Sequence, residues 1–129
     1  MLPAPARLRR REDFTLAVRR GSRAGRGTLV AHYLSPDLAP DVASDLAAVA
    51  APTGRVGFVV GRAVGNSVIR HRTVRRLRHL VRDRLDRLPA GSILVIRALP
   101  PAAETDSAGL ERDLDAALTR LLPEPVVTR

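Results

Sequence analysis

Residues 55–87 read RVGFVVGRAVGNSVIRHRTVRRLRHLVRDRLDR, and the other elements of the chain can be placed around them. The stretch begins with an apolar run from Val56 to Val60, which predicts a buried, central strand. It turns at Gly65 and continues with helical spacing after Asn66, a good N-cap residue. It contains ten arginines and two aspartates, a local charge of +8 in a chain of net charge +9. The centre of the predicted fold is therefore a strand followed by a strongly basic helix.

A helical projection at about 100° per residue divides this helix into two faces. The apolar face, predicted to be buried, contains Ile69, Thr73, Val74, Leu77, Leu80, Val81 and Leu85. The opposite, basic face contains Arg72, Arg75, Arg76, Arg78 and Arg82 with His71 and His79. Arg70 and Arg84 fall within the apolar arc, so each is expected to reach past its neighbours to solvent or to find a partner.

The basic face has almost no carboxylates to neutralise it. Like charges three or four positions apart on a helix repel by about 0.2–0.5 kcal/mol per pair. A polyanion would supply the missing countercharge, and the planar guanidinium group suits phosphate oxygens. The alternative is an ordinary solvated face, but such faces usually mix the two signs. The pattern therefore favours a nucleic-acid-binding face.

The composition narrows the class of protein further. A chain of 129 residues predicts one domain, here residues 1–122 with a flexible tail at 1–6, a mobile insert at 35–54 and a C-terminal tail at 123–129. The absence of cysteine excludes disulfides, thiolate metal sites and thiol nucleophiles. No apolar run approaches the roughly 20 residues of a membrane span, and the N-terminus has no signal-peptide pattern. A soluble, cytoplasmic protein is expected.

The remaining segments supply further helices and strands. They are a short helix within residues 7–20, a turn or edge strand at 21–27, a strand at 28–34, a buried strand at 92–98 and a final amphipathic helix capped by Asp106 or Ser107. The strand before the basic helix and the strand after it predict a βαβ unit with a parallel pair.

The chain shows no catalytic cluster. Its carboxylates mostly avoid the basic blocks, so they predict no Mg²⁺ site. His71 and His79 are eight residues apart, roughly 12 Å along the helix axis, which is too far to share one phosphate. No phosphate-binding glycine loop or zinc spacing is present. His32, a lone histidine on a strand, is predicted to be structural.

Six segments carry a family resemblance. They are Arg7-Leu8-Arg9-Arg10, Glu12-Asp13-Phe14, Arg19-Arg20-Gly21, the run from Arg55 to Asn66, Arg70-His71-Arg72 and the run from Ile96 to Pro100. Together they resemble the protein subunit of bacterial ribonuclease P, over about residues 7–122. The resemblance implies a two-layer α/β (α+β) sandwich of order α-β-β-β-α-β-α, with a left-handed βαβ crossover against the usual rule.

The resemblance also implies a function and partners. In this family the RNA subunit removes the 5′ leader of precursor tRNA with bound Mg²⁺, so the protein alone is expected to be inactive and to hold no cofactor. The expected partners are the catalytic RNA and the 5′ leader, with Mg²⁺ held mainly by RNA. A ribosomal or RNA-packaging protein is the alternative. A helix-turn-helix DNA binder is a distant third, because a strand separates the helices.

Matching the family motifs assigns candidate site residues but no catalytic or metal-binding residue. The RNA-binding residues are Arg62, Asn66, Arg70, His71, Arg72, Arg75, Arg76, Arg78 and Arg82. The residues of a leader-binding cleft, between the first helix and the sheet, are Arg11, Phe14, Val18 and Tyr33. The chain departs from the family pattern where His71 replaces an Asn, Val74 replaces a Lys, Gly61-Arg62 replaces Ser-Lys, and Val18 stands where relatives often carry an aromatic residue.

Overall fold

The computed structural model describes residues 2–38 and 53–122. The helices are α1 (Arg11–Arg20), α2 (Ser67–Arg82) and α3 (Ser107–Leu121), and the strands are β1 (Ser22–Gly25), β2 (Leu29–Leu34), β3 (Arg55–Val59) and β4 (Ile93–Ala98). The strands form one sheet in the order β1-β2-β4-β3, in which only β3 and β4 are parallel. The predicted mixed fold, its element order and its parallel βαβ pair are confirmed. The handedness of the crossover stays a prediction.

The two faces of the sheet build two separate cores, because side chains alternate across a strand. Leu29, Leu94 and Ile96 pack with α2 and α3 in the main core. Leu34 and Val95 point to the other face, where they pack with α1 in a smaller core. Helix α1 therefore forms a short layer of its own, on the side of the sheet opposite to α2 and α3.

Both long helices begin at the residues that the sequence indicates. The side-chain oxygen of Asn66 accepts a hydrogen bond from the backbone N–H of Ile69 at 3.0 Å, so Asn66 caps α2. Asp106 accepts from the backbone N–H of Gly109 at 2.8 Å and caps α3. Most of each predicted apolar face is buried. The buried residues are Thr73, Leu77, Leu80 and Val81 in α2 and Leu110, Leu114, Ala117 and Leu118 in α3. Ile69 and Val74 of the predicted α2 face are half-buried.

The predicted central position of the first apolar strand is wrong. Strand β3 lies at an edge of the sheet, and β4 occupies an interior position. The apolar sequence of β3 is explained by its surroundings: Val56 is buried in the main core, and the N-terminal segment covers part of its outer edge. The backbone N–H of Leu8 donates to the carbonyl of Val56 at 2.9 Å.

The N-terminal residues differ from the flexible tail that the prolines predict. Leu2 and Ala6 are buried in the main core, and Ala4–Ala6 forms one turn of 3₁₀-helix. The Nε of Arg7 donates to the carbonyl of Leu2 at 3.0 Å. Apolar anchors at both ends therefore hold this segment on the domain. Most of the predicted insert, at residues 39–52, and the tail at 123–129 lie outside the described residues.

Arg84, which projects from the apolar arc after α2, finds its partners on α3. It donates from Nε and Nη2 to Asp115, from Nη2 to Glu111 at 2.8 Å and from Nη1 to the carbonyl of Leu80 at 2.7 Å. The hydrogen bond from Arg84 holds the pKa of Asp115 below its usual value. This network joins the end of α2 to the middle of α3.

We expect Arg84→Met to lower the free energy of unfolding by about 1 kcal/mol, because both carboxylates remain partly exposed to water. Urea denaturation at neutral pH measures the change. Arg75→Met is the matched control, since Arg75 is exposed and lies on α2 before its last turn, and it should leave the midpoint unchanged. Equal midpoints for the two variants would show that the network adds no stability.

Candidate nucleic-acid interface

The basic face of α2 is open to solvent. The side chains of Arg62, Asn66, His71, Arg72, Arg75, Arg78 and Arg82 are exposed, and those of Arg70 and Arg76 are half-buried. Among residues 2–38 and 53–122, no carboxylate lies within ion-pair distance of any of these arginines. The face therefore carries a concentrated positive charge without internal neutralisation.

Two of these arginines are held by the segment that follows β4. The Nη2 of Arg72 donates to the carbonyl of Ala103 at 3.4 Å, and the Nη1 of Arg76 donates to the carbonyl of Thr105 at 3.1 Å. The 3₁₀ turn Pro100–Ala103 places these carbonyls beside α2. The basic face thus includes the edge of a neighbouring segment, which orients part of its charge.

The beginning of α2 combines a cap, an apolar side chain and a histidine. Asn66 is exposed, but its side-chain oxygen is used as the helix cap. Val68 is 74% exposed and lies beside His71 and Arg75 in a shallow hollow. The Nε of Arg70 is buried and has no hydrogen-bond partner within the described part of the chain. Arg70 therefore lies partly below the surface that the other arginines form.

The sheet face that carries α1 is only partly covered. The strand register arranges its residues in three rows, namely Leu34, Ile93 and Arg55; Arg23, His32, Val95 and Gly57; and Gly25, Val30, Arg97 and Val59. Helix α1 packs over the first two rows, whereas Arg97 and Val59 in the third row are exposed. We call the third row, together with Phe14 and Val18 of α1, the α1 shelf.

The ring of Phe14 lies directly on the backbone of β3. A Cβ placed on Gly57 would be 2.3 Å from Cε1 and Cζ of that ring, far closer than side chains approach one another. Only glycine at this position leaves room for the ring. Phe14 remains half-buried and lines a hollow with Val74 and Arg78 of α2. This hollow connects the α1 shelf to the basic face.

A buried ion pair fixes α1 on the sheet. The Nη1 of Arg55 lies 3.4 Å from Oδ2 of Asp13, and both residues are almost fully buried. Arg55 therefore does not contribute to the exposed basic surface, although the sequence counts it within the basic stretch. A buried charge is tolerated when its partner neutralises it, so the pair sets the position of α1 and of Phe14.

The structure brings together only some of the predicted cleft residues. Phe14 and Val18 lie side by side on the α1 shelf, and Arg11 is exposed on the outer side of α1. Tyr33 is only 7% exposed and belongs to the main core on the opposite face of the sheet. Because β2 alternates, the neighbouring His32 faces α1 instead.

His32 and Arg97 are side chains of this face that motif matching missed. The signals were present: His32 follows Val30 with period two, and Arg97 is the single charge in an apolar strand. His32 is buried, and neither ring nitrogen has a hydrogen-bond partner within the described segments. Burial, and then Arg97 and Arg23, lower the pKa of His32. The imidazole is therefore neutral at physiological pH.

The described residues offer no protein-held metal centre. Within residues 2–38 and 53–122, no group of three or more His, Cys, Asp or Glu side chains is arranged to bind a metal ion. In the same segments, no helix has both the length and the apolar character needed to cross a membrane.

An exposed arginine face beside a mixed sheet, with a partly open shelf on the other side, is typical of a nucleic-acid-binding α/β protein. A family model described as Ribonuclease P matches residues 2–122. The ribonuclease P protein component of Streptomyces griseus is 59% identical over 122 residues, which cover 95% of this chain and 96% of the relative. That of Rhodococcus jostii is 51% identical over 129 residues, covering 99% and 98%. The chain belongs to the family of bacterial ribonuclease P protein components.

Family membership places the chain in a ribonucleoprotein endoribonuclease, with an RNA partner that carries the chemistry. The alternative of a ribosomal or packaging protein is not favoured. Solved structures have the same fold: the Staphylococcus aureus RNase P protein matches with a TM-score of 0.72 at 16% identity, covering 92% of this chain and 98% of that one. The Thermotoga maritima RNase P protein matches with a TM-score of 0.69 at 22% identity, covering 91% and 98%.

We expect the stability of the protein to fall as the pH is lowered below about 6.5, the usual pKa of a histidine. The folded state lowers the pKa of His32, so the unfolded chain binds more protons in this range and is favoured there. Denaturant midpoints between pH 7.5 and pH 5.5 measure the effect. His32→Leu should remove most of the dependence, whereas His71→Gln/His79→Gln should retain it, because those imidazoles are exposed. A slope unchanged by His32→Leu would contradict this assignment.

Proposed function

We propose that the basic face of α2 binds the catalytic RNA of ribonuclease P and that the α1 shelf binds the 5′ leader of precursor tRNA. The observation that carries the proposal is the exposed arginine face of α2, which has no carboxylate partner among the described residues. Phosphate oxygens would neutralise this charge through charge-assisted hydrogen bonds.

The α1 shelf has the chemistry to hold a single RNA strand. Phe14 and Val18 on α1 form an apolar wall. The third row of the sheet forms the floor of the shelf, where Val59 adds an exposed apolar side chain. A base that stacks on an aromatic side chain gains roughly 1–3 kcal/mol. Arg97 on the floor supplies a guanidinium group for the phosphates. Tyr33 is not part of this proposal, because it lies on the other face.

Arg11 belongs to the proposed site as a residue at the rim. It lies three residues before Phe14 and seven before Val18, so it projects beside them from the same helix. Its side chain is exposed, and no carboxylate lies within ion-pair distance of it in residues 2–38 and 53–122. Arg11 is therefore suited to a phosphate at the edge of the α1 shelf.

The protein in this proposal contributes binding and not chemistry. Mg²⁺ would be held mainly by RNA, and the protein would fix the leader so that the cleavage site lies against the catalytic RNA. Arginines between two polyanions reduce their mutual repulsion, which should lower the Mg²⁺ concentration needed for cleavage. The proposed place of action is the cytoplasm, where bacterial tRNA precursors are made.

The leader proposal predicts that the holoenzyme, formed from this chain and its RNA subunit, binds precursor tRNA more tightly than mature tRNA. Phe14→Ala should reduce this difference by roughly five- to a hundredfold, as expected for loss of one stacked base. Phe14→Leu keeps the packing of the smaller core and should lose much of the same gain. Dissociation constants for both tRNAs, measured at one salt concentration, provide the test.

Val18→Leu serves as a matched control, because it alters an apolar wall residue without removing an aromatic ring. Equal affinity for precursor and mature tRNA in the unmodified holoenzyme would indicate a general RNA-packaging role. Leader cleavage by protein free of RNA would contradict the assignment of the chemistry to RNA.

For the basic face, we expect Arg75→Ala and Arg78→Ala each to reduce the salt dependence of binding to the catalytic RNA by roughly 0.7–0.9 units in log K against log salt, one phosphate contact each. Arg112→Ala is the control, since Arg112 is exposed on α3 and carries the same charge. Filter binding between low and moderate salt gives the slopes. An unchanged slope for Arg75→Ala would remove that residue from the interface.

A further inference from the structure

The outer surface of α1 is a second basic surface, separate from the face of α2. Arg11, Thr15, Leu16, Arg19 and Arg20 line a shallow hollow there together with Glu12. We call it the α1 outer surface. The three arginines and Thr15 are exposed. It lies on the side of the sheet opposite to α2, so binding of the catalytic RNA to α2 leaves it free.

The charge of the α1 outer surface is mostly unneutralised. Glu12 lies 3.7 Å from Arg10, and both side chains are well exposed. In the described residues no carboxylate lies within ion-pair distance of Arg19 or Arg20. Arg19 and Arg20 occupy the last turn of α1, where cations stabilise the helix dipole by about 0.3–1 kcal/mol. That role explains one cation at the helix end, but not a hollow lined by three arginines.

The α1 outer surface is continuous with the α1 shelf. At about 100° per residue, Arg11 lies about 60° round the helix from Phe14, and Arg19 lies about 100° from Val18. An RNA strand that leaves the α1 shelf over α1 would therefore pass from Phe14 and Val18 directly onto guanidinium groups. The shelf itself is short, because four strands at about 4.8 Å spacing span only about 14 Å.

We infer that the α1 outer surface binds the 5′-distal part of long leaders, the nucleotides beyond those held on the α1 shelf. The inference rests on the proposed function, because the leader must first occupy the shelf. The leader is joined to tRNA at its 3′ end, so additional nucleotides extend away from the cleavage site. The contacts are to phosphates and are independent of sequence, since the surface offers arginines and no aromatic side chain.

The test compares two precursor tRNAs in the holoenzyme, with leaders of roughly four and roughly twelve nucleotides, the second long enough to cover the roughly 15 Å of α1 as well. Wild-type holoenzyme should bind the longer leader more tightly. Arg19→Ala/Arg20→Ala should weaken binding of the long leader by roughly three- to tenfold, as for two exposed ion pairs. The salt slope for that substrate should fall by roughly 1.4 units, about 0.7 for each of two phosphate contacts on a single strand. Affinity for the short leader should not change.

The control variant is Arg112→Ala/Arg120→Ala, which removes the same charge from the exposed side of α3, with Arg120 also in a last helical turn. It should bind both leaders as the wild type does. Arg19→Lys/Arg20→Lys retains the charge and should restore most of the affinity for the long leader. Thermal unfolding of each variant separates a loss of fold from a loss of contacts.

The outcomes distinguish this inference from the proposed function. One outcome is that Phe14→Leu weakens binding of both precursors while Arg19→Ala/Arg20→Ala binds both as the wild type does. In that case the leader binds the α1 shelf, and the α1 outer surface does not bind the leader. If Arg19→Ala/Arg20→Ala lowers the affinity for the short-leader and long-leader precursors equally, the α1 outer surface contacts the catalytic RNA or the tRNA body. That result overturns the inference. If Phe14→Leu has no effect on either leader, the proposed function itself fails.

Discussion

Helix α2 can present arginines to solvent because a narrow apolar flank holds it on the sheet. Leu77, Leu80 and Val81 are buried in the main core. Each such side chain contributes about 1.5–3 kcal/mol on burial, whereas repulsion between neighbouring arginines amounts to about 0.2–0.5 kcal/mol per pair. Packing therefore outweighs repulsion in the free protein. The helix remains folded although no described carboxylate neutralises its charge, and in the proposed function RNA would supply the countercharge.

Strand β4 separates the two sides of the molecule for which RNA binding is proposed. Leu94 and Ile96 point to the core under α2 and α3, and Val95 and Arg97 point to the side that carries α1. A shift of one residue in register would exchange these sets and place Arg97 in the main core. The buried pairing of β4 with both neighbours therefore fixes the basic face and the α1 shelf on opposite sides of one sheet.

Local patterns predict the elements of this fold well, and contacts distant in sequence account for most differences. Asn66 and Asp106 cap their helices as their residue types and positions indicate. The pairing of Arg55 with Asp13, 42 residues away, has no local signature, so the sequence shows Arg55 only as one charge of the basic stretch. The edge position of β3 is equally hidden, because the N-terminal segment covers its outer edge and allows an apolar sequence there.

The candidate site was predictable where helical periodicity applied and less so on the sheet. The exposure of Arg75 and Arg78 follows from the helical projection alone. The cleft assignment relied on a motif match for Phe14 and Val18, and Tyr33 was added as a further aromatic residue. Strand alternation places His32 on that face instead. Counting by two from Val30 would have indicated the correct side chain.

Some arginines of α2 are held by hydrogen bonds to another segment of the chain, and others are not. Arg72 and Arg76 each donate to a backbone carbonyl after β4, so their side chains are partly ordered before RNA arrives. Ordering a long side chain on binding costs about 0.5–1.5 kcal/mol, and a guanidinium group with five N–H donors keeps several for phosphate. Arg75 is exposed and makes no such contact within residues 2–38 and 53–122, so its side chain could adapt to a bound RNA. The Pro100–Ala103 turn and the residues that follow it thus shape the interface through their backbone carbonyls.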